Sequence, residues 1–65
     1  MYRLVIGYVH GEMHHAYIKD LHGESKAVNF TLATCLFRQM IVAGHEMHHV
    51  VLSEAEGNSF DWIEF

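Results

Sequence analysis

Gly44-His45-Glu46-Met47-His48-His49-Val50-Val51 admits two secondary structures with incompatible consequences. As a helix it places His45 and His49 on one face, four residues apart. As a strand it puts the same two imidazoles on one face but roughly 13 Å apart, at ~3.3 Å per residue. The flanks favour the strand. Gly44 stands where a C′ residue ends a preceding helix, and Val50-Val51 is a β-branched pair suited to a pleated surface. Met47 to Ser53 therefore reads as a strand that begins once a helix has stopped.

Upstream, Lys26 to Ala43 contains no Gly or Pro, and Ser25 is a suitable N-cap. Val28, Leu32, Cys35 and Leu36 recur at helical intervals, and Phe30, Phe37, Met40 and Ile41 widen the stripe. Cys35 on that stripe is expected to be a buried, inert thiol. Tyr2 to Val9 is rich in aromatic and β-branched residues, breaks at His10-Gly11-Glu12, and pairs with a returning strand from Met13 to Asp20. Both faces of the first strand carry apolar residues, which predicts a central position. Leu21-His22-Gly23-Glu24 is a break, Glu56-Gly57-Asn58-Ser59 a turn, and Phe60 to Phe65 a closing strand. The predicted fold is α+β, in the order ββαββ: an antiparallel four-stranded sheet with one helix across it. Trp62 and its aromatic neighbours are expected to fill the core against the helix. The last strand is expected at an edge of the sheet, open to pairing.

Residues 1–65 form a single small domain, in the size range where folding buries only ~60% of the unfolded surface. One Cys provides no internal staple and no Cys-based zinc ribbon. No apolar run approaches the ~20 residues of a membrane span, and the N-terminus lacks a signal-peptide layout. The expectation is a reduced, cytoplasmic protein that engages no membrane.

Glu12-Met13-His14-His15 recurs as Glu46-Met47-His48-His49, which fits two strands in matching roles. The second copy lies within His45-Glu46-Met47-His48-His49, which fits the pattern H-E-x-x-H and over those five residues resembles zinc metalloproteases. That resemblance implies His45 and His49 as zinc ligands, Glu46 as general base, and a third ligand from Glu54, Glu56, Asp61 or Glu64. A strand denies it the required geometry, and 65 residues leave little room for a substrate cleft. The milder alternative is a His-based metal-binding protein. In it His14, His15, His48 and His49, with His10 or His45, ligate an ion across neighbouring strands.

The formal charge of −4 is unevenly placed. Arg3, Lys19, Lys26 and Arg38 all precede residue 39, and residues 1–38 carry +1. Residues 39–65 carry −5, from Glu46, Glu54, Glu56, Asp61 and Glu64. Direct nucleic-acid binding is disfavoured, because it needs clustered Lys and Arg. An acidic face suits a basic partner, including the nucleic-acid-binding surface of another protein. In layout alone the predicted fold is similar to small phage-encoded proteins that inhibit host machinery, such as anti-CRISPR proteins and RNA-polymerase inhibitors. That similarity implies an acidic protein-binding module, an inhibitor or regulator acting by occlusion, with Glu54, Glu56, Asp61, Trp62 and Glu64 as contacts. A homodimer is also expected, since apolar residues on both faces of several elements need cover.

Overall fold

The computed structural model describes residues 1–65. Its elements run β1 (Arg3–Val9), β2 (Glu12–Lys19), β3 (Ser25–Ala27), α1 (Phe30–Val42), β4 (Met47–Ser53) and β5 (Asn58–Glu64). The fold is α+β, as expected, but the antiparallel sheet has five strands, in the order β3-β2-β1-β5-β4. The extra strand is Ser25–Ala27, which pairs with Tyr17–Lys19 across the break at Asp20–Glu24. Ser25 is therefore in the sheet and does not cap the helix. The cap is Asn29, whose Oδ1 accepts the Leu32 N–H at 3.1 Å.

The helix ends as its sequence predicts. Gly44 takes φ +97°, and the Ala43, Gly44 and His45 N–H groups close the last carbonyls of the helix. At the β1–β2 hairpin, His10 and Gly11 both have positive φ, as a two-residue type I′ turn requires. The β4–β5 turn is Glu54–Gly57, two residues earlier than its composition suggests, so Asn58 and Ser59 belong to β5.

β1 is central, as predicted, with β2 on one side and β5 on the other. The second central strand is β5, because Arg3–Val9 pairs along its whole length with Asn58–Glu64. The expectation of a C-terminal edge strand is thus corrected. The edges are β3, three residues long with Lys26 in the middle, and β4.

Only 8 of 65 residues are buried, so the core can be named almost completely. Leu4 and Ile6 of β1, Ala16 of β2 and Ile63 of β5 meet Ala33 and Phe37 of α1. Leu36, Met40, Ile18 and Tyr8 close around them. The buried helical stripe is thus Ala33–Phe37, turned away from the expected Leu32–Cys35 line. Leu32 is 52% exposed, and Cys35 is exposed, contrary to the buried thiol expected. A folded monomer of this mass exposes about 4,250 Å². This chain exposes 4685 Å². No helix is long and apolar enough to cross a membrane.

Candidate functional site

Alternation along the paired strands sorts the sheet into two faces. The helix covers one of them, resting chiefly on β1 and β2. The opposite face carries Arg3, Val5 and Gly7 of β1, His15 and Tyr17 of β2, Phe60, Trp62 and Glu64 of β5, and His48 and Val50 of β4. No other element of the chain lies over it. Trp62 is on this open face, so the expectation that it packs against the helix is corrected.

The open face is organised by its rings. Trp62 meets the His48 ring in a stack with centroids 4.0 Å apart, and the Arg3 guanidinium lies 4.0 Å from its ring centroid. Arg3 also pairs with Glu64, which fixes the cation in place. On the other side of β1, His15 stacks on Tyr17 at 5.8 Å with the planes 10° apart. Val5, opposite both Trp62 and Tyr17 in the register, is only 4% exposed although no element covers it. Gly7 is needed here: a Cβ on it would come within 2.5–3.0 Å of the His15 ring. His14 sits at the irregularity between the Gly7 and Tyr8 pairings. It joins His15, Val5, Tyr17 and Phe60 around a depression of about 460 Å³.

The helix-side face holds a polar cluster of its own. Asp61 accepts from Nδ1 of His49, its cross-strand neighbour. Burial, and then the charge of Asp61, raise the Tyr8 phenol above its ordinary range. Because α1 does not extend over β4, Met47 and Val51 beside this cluster remain 44% and 50% exposed.

The five expected contact residues do not form one patch. Trp62 and Glu64 are on the open face, and Asp61 is on the helix side. Glu54 and Glu56 occupy the β4–β5 turn, where Glu56 accepts from the Asn58 side-chain amide. The H-E-x-x-H segment is not helical. His45 and Glu46 form the link after α1, and Met47 to His49 begin β4, so His45 and His49 do not share a helical face. Nor do the two His pairs meet. His14 and His15 on β2 are separated from His48 and His49 on β4 by both central strands. The repeated Glu-Met-His-His lies at the start of two strands, but not in matching roles: β2 is paired on both sides and β4 on one, and His15 is on the open face while His49 is on the helix side.

The sequence alone did not place Arg3, Val5, His15 and Tyr17 on one sheet face with Trp62. Their signal is the alternation Arg3-Val5-Gly7 against Leu4-Ile6, but it does not reveal which face the helix covers. Comparisons with family models, curated proteins and solved structures return no match for the chain.

Proposed function

We propose that the chain is a small acidic protein-binding module, an inhibitor or regulator of the phage type that acts by occluding the surface it covers. The observation that supports this most is the open sheet face. Trp62, Phe60 and Tyr17, ranged around the buried Val5, make an aromatic surface that no other element of the chain covers. Aromatic residues with an Arg at their edge are the composition of binding hot spots. The partner favoured by charge is a basic protein surface, since the chain carries −4 and has no Lys or Arg after Arg38. Nucleic acid is a poor occupant of the same face: its cations are Arg3 and Lys19, and Arg3 is already held by Glu64.

Affinity capture from candidate host extracts tests this, using wild-type chain and the Trp62→Ala and Phe60→Ala variants in parallel. The proposal expects a protein held by the wild type, lost from both variants and released by salt. Nothing captured differentially by wild type over the variants would refute it.

A further inference from the structure

The sheet has one edge whose strand carries no protecting residue within its own length. β3 is short and carries Lys26, which blunts its edge. β4 is seven residues long, with no Pro and no charged side chain. Met47, Val50, Val51 and Leu52 on it are 44%, 37%, 50% and 67% exposed. Its pairing with β5 is regular from Met47 to Val51 and shifts only beyond, so a straight five-residue stretch of free edge remains. The charges lie at its two ends: Glu46 precedes it, and Glu54 and Glu56 follow in the turn. None of the three is in a salt bridge, and Lys and Arg are absent from the whole segment after Arg38.

We infer that the β4 edge takes an extended segment of a partner protein as a sixth strand, and that this segment has an apolar, β-branched centre and Lys or Arg at both ends. This rests on the protein-binding reading above and names the element and the partner chemistry within it. Backbone pairing along β4 would supply affinity, and Met47, Val50 and Val51 would contact side chains on both faces of the added strand. Glu46 at one end and Glu54 with Glu56 at the other would select for the basic flanks. A second copy of this chain fits the same edge poorly. Laid antiparallel on β4, it brings Glu46 of each chain toward the Glu54–Glu56 turn of the other, like charge against like.

The test uses the full chain and three synthetic peptides sharing one alternating Val-Thr centre. One has Lys at both ends, one has Glu, and one has the Lys ends with alternate backbone amides N-methylated. Binding is followed by fluorescence anisotropy of the labelled peptides, and the site by amide hydrogen exchange. The Lys-flanked peptide is expected to bind and slow exchange in β4. The Glu-flanked one should bind about tenfold more weakly or worse at low salt, the difference shrinking as salt screens it. N-methylation should abolish binding. Equal binding of Lys- and Glu-flanked peptides, survival of binding on N-methylation, or protection elsewhere than β4 would overturn the inference. So would a dimer in sedimentation whose β4 amides are protected without peptide, since the edge would then belong to a second copy. If a captured protein is lost on Trp62→Ala but leaves β4 exchange unchanged, this inference fails and the binding-module proposal stands. If the peptide binds β4 but no protein is captured, the reverse holds.

Discussion

Replacing Ile63 by Ala should destabilise the chain more than replacing Trp62 by Ala, although the second change removes far more atoms. Ile63 is fully buried in the cluster of Leu4, Ile6, Ala33 and Phe37. Truncating it deletes three carbon groups at ~0.8 kcal/mol each, and adds the cost of a cavity the neighbours fill only in part. The expected loss is about 3 kcal/mol. Trp62 lies outside that cluster, on the open face. What it gives up is the Arg3 contact, about 0.5–1 kcal/mol for an exposed cation–π pair, and the His48 stack, about 0.5–1 kcal/mol. With the partial uncovering of Val5 the sum is about 2 kcal/mol.

A chain of this length has a total stability of only ~3–10 kcal/mol, so the two variants should be separable by eye. Urea unfolding followed by far-ultraviolet circular dichroism is the assay, because Trp62 is the only Trp and fluorescence would lose its probe in one variant. Ile63→Val, at about 1 kcal/mol, calibrates the site should Ile63→Ala fail to fold. If Trp62→Ala costs as much as Ile63→Ala or more, Trp62 is a core residue and the assignment of the two faces is wrong.

Tyr8 predicts an alkaline limit. Its phenol is raised from 10.0, so the folded chain holds that proton where the unfolded chain releases it. The associated stability is intact below about pH 10 and is lost as pH climbs through the folded value. Tyr8→Phe should remove that loss, and should delete the latest component of the tyrosinate absorbance titration. Asn29→Ala should cost about 1 kcal/mol in urea unfolding through loss of the helix cap, while Ser25→Ala, the cap expected from sequence, should stay within about 0.5 kcal/mol. Gly7→Ala should cost about 1 kcal/mol by pushing the His15 ring off Tyr17, and the cost should vanish in a His15→Ala background. Independent effects of Gly7 and His15 would show that the close approach is not real.

The parts of the fold that were legible in sequence are those fixed by local chemistry. Gly44 stops a helix because a residue there must take positive φ, and Val50-Val51 then favours a strand, which denies H-E-x-x-H its helical geometry. The His10-Gly11 hairpin is of the same kind. The parts that were not legible depend on distant residues. Ser25–Ala27 has no strand-forming residue of its own and becomes a strand only because Tyr17–Lys19 is beside it. The helix is apolar nearly all round, with Phe30, Leu32, Ile41 and Val42 all well exposed, so its pattern could not tell Ala33–Phe37 from Leu32–Cys35. β5 has the same ambiguity. Phe60-Trp62-Glu64 and Asp61-Ile63 each mix apolar residues with one acid, and only the pairing of Ile63 with Leu4 assigns the faces. That pairing spans almost the whole chain and leaves no local trace.

The carboxylates around β4 bring the two proposals to one experiment. An apolar, uncharged edge strand is an aggregation hazard unless something discourages pairing with itself, and charged residues at the ends of such a strand are a known solution. Glu46, Glu54 and Glu56 can do this while leaving the edge free for a basic strand, because repulsion acts only on an acidic newcomer. One perturbation should therefore move two measurements in opposite directions. The triple variant E46Q/E54Q/E56Q keeps side-chain size and removes three charges. It should bind the Lys-flanked peptide about tenfold more weakly, yet self-associate at lower concentration, with both differences fading at high salt. If instead peptide binding and self-association weaken together, the carboxylates are supporting the fold of the β4–β5 hairpin and not selecting what pairs with its edge.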